Sequence, residues 1–76
     1  EYEVIEAEII ETSELLSQEL KNLNLPEEIR VGAVLRDKKV IIPGSSFTFK
    51  KDDKVVFIAK KDSISFVENI FRLSSV

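Results

Sequence analysis

The run Val55-Val56-Phe57-Ile58-Ala59 constrains this chain more than any other stretch. Charge brackets it, with Lys50-Lys51-Asp52-Asp53-Lys54 before and Lys60-Lys61-Asp62 after. Successive side chains of a strand point to opposite faces, so an unbroken apolar run presents apolar groups to both. The pattern predicts a strand over 54–59 at the centre of a sheet, buried on both faces. The remaining elements must then supply its two neighbours and something to cover it.

Tyr2 to Ile10 reads as a second strand, because Ile5, Ala7 and Ile9 alternate with Glu6 and Glu8. Its polar side is impure, since Val4 and Ile10 share it with the glutamates. Thr12 and Ser13 suit a helix start, and Leu16, Leu20 and Leu23 follow at spacings of four and three. Asn24 and Pro26 end that helix. Ile29 to Arg36 reads as a strand with Ile29, Val31, Ala33 and Leu35 on one side and Arg30, Gly32, Val34 and Arg36 on the other. Asp37-Lys38 turns it into a strand over 39–42, giving a hairpin whose turn would suit glycine at position 38 better. Pro43 to Ser46 is a loop, Phe47 to Phe49 a short extended piece, and 50–53 a charged turn. Asp62 or Ser63 caps a last helix with a stripe of Phe66, Ile70 and Leu73, flanked by Val67 and Phe71. The order is therefore β-α-β-β-β-α. It predicts an α+β fold, a largely antiparallel sheet with two helices packed on it. A doubly wound parallel sheet does not fit, because only one helix separates strands.

Seventy-six residues make one small domain, spanning 1–76, with a thin core. Oligomerisation is a common remedy at this size. The chain begins at Glu1 and contains no methionine, which is expected of a domain from a longer protein. Eleven basic and 14 acidic residues give a net charge of −3, which argues against nucleic acid as a partner and against a polybasic membrane-surface patch. No apolar run reaches the length of a membrane span, and the N-terminus has no signal-peptide pattern.

Catalytic chemistry has little to work with. Histidine and cysteine are absent, which removes the commonest general base and the thiol nucleophiles. Gly32 and Gly44, the two glycines, are too few for a phosphate-cradling loop. The adjacent carboxylates Glu27-Glu28 and Asp52-Asp53 read as solvated turn charges. Without an EF-hand pattern, two aspartates do not supply the six or more oxygens that calcium takes. Arg30 and Arg36 fall on one side of their strand with Gly32 between them, a spacing that suits an anion such as phosphate. The plainer reading is an edge-strand charge set, completed by Lys38 and Lys39, that blocks unwanted pairing. Phe57, Phe66 and Phe71 read as core, whereas Phe47, in a polar loop, is a candidate for packing into a partner chain.

From Leu25 onward the chain resembles the C-terminal domain of Trk-type potassium-uptake regulators, called TrkA-C or RCK-C. The resemblance is carried by Leu25-Pro26, Val31-Gly32-Ala33-Val34-Leu35-Arg36-Asp37, Val40-Ile41-Ile42-Pro43, Phe49, Asp52-Asp53 and Val55 to Ala59. Arg36, Pro43 and Asp53 stand at the family's anchor positions, and Leu20 matches the leucine of its first-helix pattern. Ser17, Lys38 and Asp52 stand where the family has glycine. The resemblance implies a regulatory, non-catalytic homodimer. It also implies a preceding domain that binds NAD or an ATP-like nucleotide, with no cofactor in this one. The full protein would sit in the cytoplasm, at the inner face of the plasma membrane, and control a membrane potassium channel or transporter subunit. One branch of the family binds cyclic di-AMP through residues that often read Asp-Leu-Arg; here Asn24-Leu25-Pro26 stands there, a form closer to the branch with tandem domains. Asn24, Leu25, Arg30 and Pro43, with Arg36 beside them, are the residues expected to line a pocket for a small-molecule regulator. Two other readings remain: a cytoplasmic appendage of an antiporter or anion symporter, and a structural interaction domain without a ligand.

Overall fold

Four strands form one antiparallel sheet: β1 (Tyr2–Glu8), β2 (Ile29–Arg36), β3 (Lys39–Ile41) and β4 (Lys54–Lys60). They lie in the order β1-β4-β2-β3. The structure, a computed structural model, describes residues 1–67 apart from Thr12. The apolar strand is central, as its sequence predicts. It pairs with β1 in an unbroken register from Tyr2 opposite Lys60 to Glu8 opposite Lys54. On its other side it pairs with β2. The Asp37-Lys38 turn joins β2 to β3 with φ of 52° and 66°, the two left-handed residues of a type I′ hairpin.

One face of this sheet carries the core. Ile9 leads out of β1, and Ile29, Val34, Val55, Phe57 and Ala59 line the strands; Leu15, Phe49 and Val67 pack over them. Among the described residues nothing covers the opposite face, and that corrects the expectation of double burial for β4. Val55, Phe57 and Ala59 are buried, while Val56 is half-buried and Ile58 is 40% exposed.

A β-bulge corrects the reading of β2. Val31 pairs with Phe57, but the next paired residue, Ala33, meets Val56, so Gly32 is the extra residue. The inserted residue shifts the alternation by one. Ile29 and Val31 face the core before the bulge, and Val34 and Arg36 face it afterwards. Arg30, Ala33 and Leu35 turn to the open face. Arg30 and Arg36 are therefore on opposite sides of the sheet, not the same one.

The first expected helix does not form an α-helix. Residues 14–17 make turns, and Leu20–Asn22 make one 3₁₀ turn. The backbone finds its partners elsewhere. The Ser17 amide donates to the Phe49 carbonyl at 2.9 Å, Phe49 donates to Gln18 at 3.0 Å, Leu20 to Phe47 at 2.9 Å and Lys21 to Ser45 at 2.9 Å. These long-range bonds replace the local ladder, and Ser17, at φ 68°, interrupts any helix. The leucine spacing still serves, because Leu16, Leu20 and Leu23 pack against the core from this irregular strap. After β4, a 3₁₀ turn at Lys61–Ser63 leads into helix at 64–67. Ile70, Phe71 and Leu73, expected on the stripe of that helix, lie outside the described residues. Val67 takes the core position, and Phe66, expected there, is 40% exposed, about 100° around the helix.

Three residues that stand where glycine is expected, Ser17, Lys38 and Asp52, all have positive φ, at 68°, 66° and 74°. A side chain there costs energy that glycine avoids. Each of Ser17→Gly, Lys38→Gly and Asp52→Gly should stabilise the fold by about 0.5–1 kcal/mol, read as a higher urea midpoint at unchanged slope.

Candidate functional site

Two features organise the surface chemistry: an ion pair inside the fold and an apolar face outside it.

The ion pair is Arg36 with Asp53. Arg36 ends β2 on its core side, where the hairpin and the loop 47–53 meet. Its Nε donates to Asp53 Oδ1 at 2.7 Å and its Nη2 to Oδ2 at 2.6 Å, a bidentate fork. The same Nη2 donates to the Thr48 carbonyl at 3.0 Å. The guanidinium lies 4.7 Å from the centre of the Phe47 ring, which meets Phe49 edge to face at 5.4 Å. Asp53 also accepts from the Lys50 amide at 2.8 Å. It is 1% exposed, so the expectation of a solvated turn charge fails for Asp53. Phe47, expected to reach a partner chain, is instead half-buried under Arg36 and packed on the core.

Burial pushes the Asp53 carboxyl up, but hydrogen bonds from Arg36 and Lys50 and their positive charges outweigh it and hold it below the usual carboxylate range. The Arg36 guanidinium is held above its ordinary value, first by its hydrogen bond to Asp53. Nε and Nη2 of Arg36 are thus committed within the fold.

The apolar face is the open side of the sheet. The registers place Val4, Ile58 and Arg30 in one row across β1, β4 and β2, and Glu6, Val56 and Ala33 in the next. Lys54 and Leu35 share the row after that, which β3 extends with Val40. Val4 is 71% exposed, Val40 68% and Ile42, just past β3, 76%. The signal for this face was present in the sequence as the two-sided apolar run of β4 and the misplaced Val4 of β1.

The remaining expected ligand residues fall near one end of this face. Asn24 is exposed with φ 51°, and Leu25 and Pro43 are half-buried. The bond from Lys21 to Ser45 ties the loop after Pro43 to the 3₁₀ turn that precedes Asn24. Arg30 is exposed on the open face. Among the described residues no cluster of three or more acidic side chains is arranged to hold a metal ion. No helix among them is long and apolar enough to cross a membrane.

Asp53 has a lowered pKa in the folded state, so its contribution is full above the unfolded value of about 3.9 and is lost as pH falls through the lower folded value. Removing Arg36 takes away the guanidinium that lowers the Asp53 carboxyl and leaves burial to raise it, so the stability lost on acidification through this range, followed by urea unfolding at several pH values, should be smaller in Arg36→Met than in the wild type. That substitution leaves the buried carboxylate unpaired and should cost about 3 kcal/mol at neutral pH.

Comparison with known proteins agrees with this fold. Residues 4–72 match the TrkA-C domain family. The chain is 40% identical over 72 residues to the Trk system potassium uptake protein TrkA of Azorhizobium caulinodans, covering 95% of this chain and 16% of that protein. It is 33% identical over 64 residues to a TrkA homolog of Archaeoglobus fulgidus, covering 84% of this chain and 15% of that one. The chain thus spans a small part of these relatives. Among solved structures, the RCK_C domain dimer of S. agalactiae BusR in complex with c-di-AMP superposes with a TM-score of 0.76 at 23% identity, covering 92% of this chain and 96% of that one. The RCK C domain of the potassium transport protein KtrA, also in complex with c-di-AMP, gives 0.76 at 21%, covering 91% and 82%. BusR bound to its promoter DNA gives 0.75 at 23%, covering 92% of this chain and 36% of that one. At these identities the structures speak for the fold. The sequence match over nearly the whole length decides the family: this chain belongs to the TrkA-C domain family.

Proposed function

We propose that this chain is the dimer-forming regulatory module of a potassium-uptake regulator. It has no catalytic role, and it acts in the cytoplasm at the inner face of the plasma membrane by controlling a membrane potassium transport subunit. The observation that carries the reading is the open apolar face of the sheet, with Val4, Val40 and Ile42 largely exposed. A contiguous apolar surface on a small domain marks a place where another surface belongs. Its family membership and its similarity to potassium uptake proteins support the direction of the reading.

The same proposal gives Asn24, Leu25 and Pro43 to a small-molecule regulator. They occupy loops tied to one another at the end of the sheet. A ligand that binds one arrangement of two subunits better than another shifts their equilibrium by its differential affinity. Such a shift is the signal passed to the membrane partner.

Two measurements test this. In cells that depend on the parent protein, deleting residues 4–72 should abolish regulated potassium uptake, followed as rubidium influx. Unchanged uptake and unchanged regulation would sink the functional reading. Calorimetry of the chain against cyclic di-AMP and a panel of other nucleotides should find a ligand whose affinity falls at least about tenfold in a combined Asn24→Ala and Pro43→Ala variant.

A further inference from the structure

We infer that the free edge of β1 takes up a basic, extended segment of the membrane transport subunit as an added strand of the sheet. This rests on the regulatory reading proposed above and names the contact through which the two proteins meet.

The order β1-β4-β2-β3 leaves β1 and β3 at the edges. An edge strand presents unpaired N–H and C=O groups, a template for another chain unless something blunts it. β3 is blunted: it is three residues long, begins at Lys39 and is closely followed by Pro43. β1 is seven residues long, contains no proline and runs along β4 without a bulge. The bonds at its two ends show which of its backbone groups are spare. The Lys61 amide donates to the Glu1 carbonyl at 3.1 Å, and the Ile9 amide to the Asp53 carbonyl at 2.8 Å. Both bonds continue the β1–β4 register beyond its ends. In an antiparallel pair, residues that exchange bonds alternate with residues that do not. Glu1, Glu3, Ile5, Ala7 and Ile9 therefore bond to β4, and Tyr2, Val4, Glu6 and Glu8 turn their amides and carbonyls outward. Among the described residues no backbone bond from a turn or loop engages any of these four.

The edge is also acidic. Glu1, Glu3, Glu6 and Glu8 are exposed, and none is in an ion pair among the described residues. Glu1 and Glu3 stand on one face of the strand, Glu6 and Glu8 on the other, so an added strand meets carboxylates on both sides. Opposite charges across a strand pair attract, and like charges repel. A second copy of β1 would lay four more carboxylates beside these four. A strand bearing lysine or arginine is the occupant that the charges favour. Cytoplasmic loops of membrane proteins carry an excess of those two residues. Main-chain bonds would supply the hold, and the glutamates the choice of sequence.

Two experiments test this. In amide hydrogen exchange followed by NMR on this chain, Val4, Glu6 and Glu8 should exchange at least about a hundredfold faster than Ile5 and Ala7. Protection of Val4, Glu6 and Glu8 in the chain alone would show the edge already taken and overturn the inference. The second experiment measures the Kd of the full parent regulator for the potassium transport subunit of the same cells, held in lipid nanodiscs. Glu6→Pro removes an amide that the sheet does not use and should raise that Kd at least about tenfold. Glu6→Ala keeps the amide and should stay within about threefold of wild type. Glu3→Lys, opposite Ala59 and on the face away from Ile58, should raise the Kd at least about threefold and flatten its dependence on salt. Circular dichroism confirms that each variant is folded; should Glu6→Pro not fold, Glu3→Lys decides alone. A wild-type regulator that does not bind the subunit overturns the regulatory reading together with this inference. Binding that is unmoved by Glu6→Pro or by Glu3→Lys overturns strand addition and leaves that reading standing. Equal losses in Glu6→Pro and Glu6→Ala overturn it too, because the side chain and not the amide would then make the contact.

Discussion

The buried carboxylate of Asp53 is the constraint on which the rest of the molecule leans. An anion at 1% exposure is tolerable only if several donors converge on it, and here they come from two distant parts of the chain. The Arg36 fork arrives from the end of β2, and the Lys50 amide from the turn that precedes β4. Satisfying Asp53 therefore fixes where the loop 47–53 lies against the hairpin. That loop then offers the carbonyls of Phe47 and Phe49 to the strap at 17–20. The strap, in turn, lays its leucines over the sheet. A polar contact of two side chains thus decides how an apolar core is closed. Buried ion pairs often add no stability over a hydrophobic pair of equal volume, and what the bonds of this one show is that they tie the loop to the end of β2.

What was legible in the sequence followed from local rules. β4 announced itself by its apolar run, β1 by alternation, and the hairpin by a two-residue gap between strand patterns. All three depend on neighbours within a few residues. The strap at 13–23 was misread because its leucine spacing satisfies a helix equally well, while its hydrogen bonds go to residues some thirty positions away. Nothing local reports that choice. The bulge at Gly32 was invisible for a related reason: an extra residue in a strand has no signature of its own, yet it reverses the facing of everything after it. The pairing of Arg30 with Arg36 in one anion site failed on that single shift. Asp53 was read as a surface charge because its partner lies seventeen residues earlier.

The open face shows where sequence and a single chain disagree most usefully. The composition of β4 asks for cover on both sides, and the strap and the helix at 64–67 provide it on one. Such a strand is intelligible as the middle layer of something thicker than one domain. A chain of 76 residues cannot build that thickness alone, since so little of its surface can be turned inward.

The bulge in β2 has a consequence for which changes this fold can absorb. Because Gly32 sets the two halves of the strand out of phase, length itself is a specified quantity there. Pairing every residue of the strand in turn, with no bulge, would send Val34 to the outside, bring Leu35 in, and carry Arg36 away from Asp53 in one step. Most exchanges of one side chain for another would disturb the fold less. β2 behaves in this respect like a reading frame: its meaning depends on the count as much as on the letters.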